Sequence, residues 1–323
     1  MSLKKLFVTA VFCFVTAQAF TQLQYAYFYY LDSENEPTEN PKAVYIVKVY
    51  KDKPGDALWT REYMTKVDRK LLSFGYCSDS LGKIFEGEYK IYDIKGNLER
   101  QGSYKNDKKT GDWTGYFASG KIFSIYHFDN GKMTGLCRAW YEDGKLQDSF
   151  NLDKSGNGNG IGFYSTGQKK YEGKFSGGNK TGEWKYYYDL PGDKKSMTGT
   201  FEKDSLLQST GYTTEGKVQK ECFYEREAAF DGGQEKWVAY LVKGITKSKY
   251  TKYMKTTRYT TIVKFIVDKD GNVIDAKVEV AKDEDLDAIA ERIIQNSPRW
   301  KPAMQYNQPV NAYRRQPITF ATE

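Results

Sequence analysis

Tyr116-Phe117-Ala118-Ser119-Gly120-Lys121 is followed, 24 residues on, by Trp140-Tyr141-Glu142-Asp143-Gly144-Lys145. The same grammar returns as Phe163-Tyr164-Ser165-Thr166-Gly167-Gln168 and Tyr187-Tyr188-Asp189-Leu190-Pro191-Gly192. An aromatic pair comes first, then a polar turn, then glycine. Extended in both directions, the pattern becomes a glycine ladder at Gly96, Gly120, Gly144, Gly167, Gly192 and Gly216, with steps of 23 to 25 residues. A period this regular marks a stacked repeat. Gly after one or two polar residues takes the positive-φ position of a tight turn, so the unit is a β-hairpin. A second glycine stands ahead of the aromatics at Gly111, Gly135, Gly158 and Gly182. One hairpin is marginal alone, and neighbours must stack to bury their rings.

Composition agrees with many short strands. Among 323 residues there are 27 Tyr, 18 Phe and 29 Gly but only 8 Pro. The repeats resemble MORN-type repeats of the bacterial variant, whose core reads Gly-x-Trp-x-x-Tyr-x-x-x-Gly-Lys. Gly111-Asp112-Trp113 and Gly182-Glu183-Trp184-Lys185-Tyr186-Tyr187 carry the likeness best. The resemblance implies an interaction scaffold. The repeats are expected over 83–222. Ahead of them, 20–82 reads as a β region capping the stack, with Ala43–Tyr50 and Ala57–Thr65 alternating as strands do.

The first residues read as a leader. Lys4 and Lys5 precede an apolar run from Leu6, and Ala17-Gln18-Ala19 is a small-x-small cleavage site. This is the order of a secretory signal peptide over 1–19. Cleavage lowers the formal charge from +7 to +5, and no later segment is apolar enough to span a membrane. The mature chain is expected in the periplasm, associated with the outer membrane and not anchored by its own chain. No basic block interleaved with stacking rings is present, so nucleic acid is not an expected partner. Cys77, Cys137 and Cys222 are odd in number and far apart, which fits buried thiols rather than a disulfide framework. His127, the single histidine, lies in the strand-like Ser124-Ile125-Tyr126-His127-Phe128. With no phosphate loop, nucleophile elbow or metal cluster, neither an enzyme nor a cofactor is expected.

After Tyr224 the pattern changes. Phe230-Asp231-Gly232-Gly233 is a turn, and Trp237, Tyr240, Leu241 and Ile245 recur at helical spacing. The stretch 223–257 is therefore a linker carrying a helix. Then follow a strand, Tyr259–Val267; the turn Asp268-Lys269-Asp270-Gly271-Asn272; and a strand, Val273–Val280. A helix over Asp283–Asn296 has Asp283 or Asp285 at its start, and Pro309–Phe320 is the last strand. The turn looks like the opening of a calcium loop. Its twelfth position, Glu279, falls in a strand, so a hairpin turn is the reading taken. The fold class is thus mainly β: stacked hairpins followed by a small β-β-α-β domain at 258–323.

This last block resembles the TonB C-terminal domain family. The matching residues run Ile262-Val263-Lys264-Phe265-Ile266-Val267-Asp268-Lys269-Asp270-Gly271-Asn272-Val273, then Ser297-Pro298-Arg299-Trp300-Lys301-Pro302-Ala303, then Pro309-Val310. Phe230-Asp231-Gly232-Gly233 and its helix look like the segment that leads into this domain in Bacteroidetes-type proteins. The resemblance implies binding to TonB-dependent outer-membrane receptors, or to other envelope proteins, by strand addition, in TonB-linked transport. The candidate edge is Val310, Asn311, Ala312, Tyr313, Arg314 and Arg315. Its two arginines serve an acidic partner or guard the edge, and an open edge also invites a second copy of the chain. The prolines form no run, so there is no polyproline spacer. The other reading is a structural or adhesion scaffold whose aromatic hairpins bind envelope glycan or lipid.

Overall fold

The computed structural model describes residues 26–53 and 55–321. The leader over 1–19 and its Cys13 lie outside the described residues. The chain divides into two compact units, 1–184 with 201–205, and 185–200 with 206–323.

The first unit is an antiparallel meander. Strands from Ala26–Leu31 and Tyr45–Tyr50 through Phe85–Tyr92, Leu98–Lys105 and Lys108–Tyr116 to Lys169–Ser176 follow one another across the sheet in chain order. The residues read as a cap join the same meander, with Trp59–Thr65 paired to both Tyr45–Tyr50 and Leu71–Cys77. The ladder glycines have the backbone that the turn chemistry demands. Gly120 and Gly144 have φ of +80° and +87°, with open space around them.

A second kind of glycine was not visible as such in the sequence. Gly102 and Gly173 sit in strands, and a tryptophan ring lies flat on each. A Cβ on Gly102 would fall 2.4 Å from Trp113, and one on Gly173 would fall 2.2 Å from Trp184. Each indole N–H donates to a backbone carbonyl of the neighbouring strand, Trp113 to Ser103 (3.1 Å) and Trp184 to Lys174 (3.0 Å). Tyr104 and Phe175 meet these indoles edge-on at 5.1 Å. The same construction is thus built twice. The rings are consumed in packing strand to strand, because glycine leaves the room and the buried N–H finds an acceptor. Cys77 and Cys137 are buried free thiols. Burial pushes the Cys77 thiol up to about 12, well away from a reactive thiolate.

The second unit holds the α+β domain. Its sheet has the order Val273–Val278, Arg258–Val267, Ala312–Ala321, all antiparallel. Helix α1, Gly233–Lys247, and helix α2, Glu284–Gln295, close one core with it. Asp283 caps α2 by accepting the Leu286 N–H at 3.1 Å. Asp287, almost fully buried, accepts from the Tyr259 hydroxyl at 2.6 Å and from the N–H groups of Lys282 and Asp283. The 268–272 turn is a hairpin. Asp268 accepts the N–H groups of Asp270 and Asn272, as Asp153 does those of Ser155 and Asn157 in the repeats.

The stretch 223–257, read from sequence as a linker, lies within this domain. Ala228, Trp237 and Leu241 belong to its core, and Glu225–Arg226 and Ala229–Phe230 pair with 300–305. The hairpin turn at Tyr306-Asn307 fastens the domain to residues of the last repeat. Asn307, buried and at φ +61°, donates to the Ser196 carbonyl and to Gln219, and Tyr306 stacks on Tyr186 at 4.2 Å.

Candidate functional site

The last strand begins at Ala312, later than the sequence places it. Val310 belongs instead to Gln308–Val310, which pairs with Ala303–Gln305 across the Tyr306-Asn307 turn. Asn311 lies between the two strands, and its side chain accepts the Lys269 N–H at 3.0 Å. The turn holds residues 308–310 in a small sheet of their own, so the alternation that looks continuous in sequence is broken at Asn311.

The phase of Ala312–Ala321 follows from its proline. Pro317 pairs with Ile262 and has no N–H, so this pair cannot be a hydrogen-bonded one. The Ile262 carbonyl indeed turns to the other side, where it accepts the Glu279 N–H at 2.8 Å. In an antiparallel strand N–H and C=O of one residue point the same way. Tyr313, Arg315, Pro317, Thr319 and Ala321 therefore present their backbone groups away from Arg258–Val267, while Ala312, Arg314 and Gln316 pair inward.

Part of that outer row is already taken. The Pro317 carbonyl accepts from the Gln316 side chain at 2.8 Å, and the Ala321 carbonyl accepts from the Tyr250 hydroxyl. Among the described residues, nothing is bonded to the outward N–H and C=O of Tyr313 and Arg315. The opposite edge is closed. Gln295 and Glu291 of α2 accept the N–H groups of Ala276 (3.2 Å) and Val278 (2.7 Å), and Gln295 donates to the Val273 carbonyl (2.8 Å). One edge of this sheet is thus capped by side chains, and the other is open over Tyr313–Arg315.

The side chains divide by face. Tyr313 is 84% exposed. Arg315 shares Glu279 with Lys264, whose Nζ lies 2.8 Å from that carboxylate. These two cations hold the Glu279 carboxyl below the usual carboxylate range. Arg314 turns to the other face, where it donates to the Ala228 carbonyl and lies 3.2 Å from Glu227. Beside it a cavity of about 280 Å3 opens between the strand and the start of α1, lined by Phe230, Gly233, Gln234, Trp237, Trp300 and Gln316 among others. The Trp237 indole donates to Gln316 at 2.8 Å. Sequence reasoning named the arginines but missed the cavity, since its wall comes from the stretch taken for a linker. His127 lies on Ile122–Asp129 with Nδ1 2.8 Å from Asp112 at the surface.

Two family models match parts of the chain. Residues 257–322 match the model of the Gram-negative bacterial TonB protein C-terminal domain. Residues 85–106 and 109–130 match the MORN repeat variant. No curated protein matches the chain. The chain therefore carries a TonB C-terminal domain behind MORN repeats, in the order the sequence implies. Domains of the first family work in the Gram-negative envelope, with proteins such as TonB-dependent receptors as partners. Among the described residues no helix is long and apolar enough to cross a membrane.

Proposed function

We propose that this is an exported, non-catalytic binding protein of the periplasm. Its C-terminal domain takes up an extended segment of a TonB-dependent outer-membrane receptor, or of another envelope protein, by strand addition. One observation carries the reading: a sheet whose far edge is capped by Gln295 and Glu291 leaves the N–H and C=O of Tyr313 and Arg315 open. An unpaired edge of this kind is completed by an extended peptide, whose main chain supplies affinity and whose alternate side chains supply specificity. Pro317 ends the usable stretch, so the docked segment is short and its register is fixed at Tyr313–Arg315. Within the same unit, the Tyr306-Asn307 turn ties this domain to Ser196 and Gln219.

The test is photo-crosslinking in cells from a probe at Tyr313, with a second probe at Lys277 on the capped edge. Capture of a TonB-dependent receptor through its N-terminal segment from Tyr313, and not from Lys277, is the expected result. Equal capture from both edges, or capture of wall material alone, overturns the reading.

A further inference from the structure

We infer that the cavity beside Arg314 is an acid-reading pocket, which takes one carboxylate side chain of the docked segment. The inference rests on the strand-addition reading above and adds the chemistry of the partner. In a sheet, directly opposed residues carry their side chains on the same face. A segment paired on Tyr313–Arg315 therefore turns the residue opposite Arg315 to the face of Glu279 and Lys264. Its neighbours turn toward Arg314, Gln316 and the cavity. The volume, about 280 Å3, lies just under the usual range of about 300–1,000 Å3 for sites that enclose a drug-sized ligand. It has ample room for one carboxylate side chain.

Charge names that side chain. The lining includes Arg314 and Arg315 but no carboxylate. The guanidinium of Arg315 is engaged by Glu279 on the opposite face, so Arg314 is the cation that serves the cavity. Of its own partners in the chain, the Ala228 carbonyl is uncharged and Glu227 is 77% exposed, a geometry in which an ion pair is weak. A docked strand shields Arg314 from water against a floor of Phe230, Trp237 and Trp300, where an ill-paired guanidinium is costly and a well-placed carboxylate is worth most. An acid on the partner thus outbids its amide. Glu227 competes for the same guanidinium and restrains the open site.

The experiment selects a random-peptide phage library on the full chain and, in parallel, on Arg314→Gln, Arg314→Lys and Glu227→Gln. The wild-type protein is expected to enrich Asp or Glu at one fixed position. Replacing that acid by its amide should weaken binding about fivefold, read by fluorescence anisotropy of the synthetic peptide. The preference should vanish in Arg314→Gln and survive in Arg314→Lys, and Glu227→Gln should bind the acidic peptide severalfold tighter. Peptides that cross-link at Tyr313 yet show no acid preference, or a preference unchanged in Arg314→Gln, overturn the pocket and leave strand addition standing. A selection yielding no peptide that cross-links at Tyr313 overturns both.

Discussion

Gly173→Ala probes how the hairpin repeats are packed. The residue is in a strand, and its Cβ would lie 2.2, 2.4 and 2.5 Å from Cδ2, Cε2 and Cγ of Trp184. Carbon atoms rest about 3.5–4.0 Å apart, so the ring must retreat by roughly 1.3 Å or more. It has little room to do so. Trp184 is 1% exposed, Phe175 meets it edge-on at 5.1 Å, Phe201 stands at 6.4 Å, and its indole N–H is held by the Lys174 carbonyl. Overpacking of a filled site costs about 1–3 kcal/mol, and a fully buried ring puts this case near 2–3 kcal/mol. Gly144→Ala is the contrast. It meets nothing within 4 Å but has φ +87°, so it should cost about 1–2 kcal/mol through backbone strain alone. Urea unfolding followed by circular dichroism measures both. In a Trp184→Leu background the cost of Gly173→Ala should fall below about 0.5 kcal/mol, a coupling within the range for residues in contact. The cost of Gly144→Ala should not change. Gly173→Ala tolerated within about 0.5 kcal/mol, or equally costly without the indole, refutes the packing argument.

Further outcomes are expected from four substitutions and one fragment. Trp237→Ala removes a buried ring that stacks on Tyr240 at 5.6 Å and meets Trp300 at 4.9 Å, so it should destabilise the C-terminal domain by about 3–5 kcal/mol in denaturant unfolding. A fragment of 258–323 alone should be destabilised at least as much, for it lacks α1. Burial and the hydrogen bond to Asp287 raise the Tyr259 hydroxyl to about 12, against an ordinary value of about 10. Its contribution is complete below pH of about 10 and is lost as pH rises toward 12, so Tyr259→Phe should flatten the alkaline limb of the stability profile. Burial opposes ionisation of Asp287, but the Tyr259 hydroxyl and two N–H groups outweigh it and hold the carboxyl below its ordinary range. That stabilisation is present above pH of about 3.9 and is lost as pH falls further, so Asp287→Asn should remove part of the acid limb. Pro317→Thr restores an outward N–H to the open edge and should increase self-association, measured by sedimentation velocity.

Much of this architecture is legible in the sequence. Gly120 and Gly144 announce their turns because only glycine takes that backbone cheaply, and Asp283 announces its helix by capping it. The strand glycines Gly102 and Gly173 were silent, since their partners Trp113 and Trp184 sit on the next strand and the signal is the absence of a side chain. The stretch 223–257 read as a linker because Glu225–Arg226 and Ala229–Phe230 are too short to show a period, and the burial of Trp237 depends on Trp300, far along the chain. The candidate edge was located but not phased. The phase is set by Pro317 facing Ile262, a pairing between strands far apart in the chain that the strand's own sequence does not carry.

The most direct test of the open edge is residue-resolved amide exchange of the C-terminal domain, alone and with the N-terminal segment of a cross-linked receptor. Alone, the amides of Tyr313 and Arg315 should exchange fast while those of Arg314 and Gln316, paired to Arg258–Val267, stay protected. On docking, Tyr313 and Arg315 should become protected as well. If those two amides are already protected in the free protein, or stay fast in the complex, the edge is not where the partner binds.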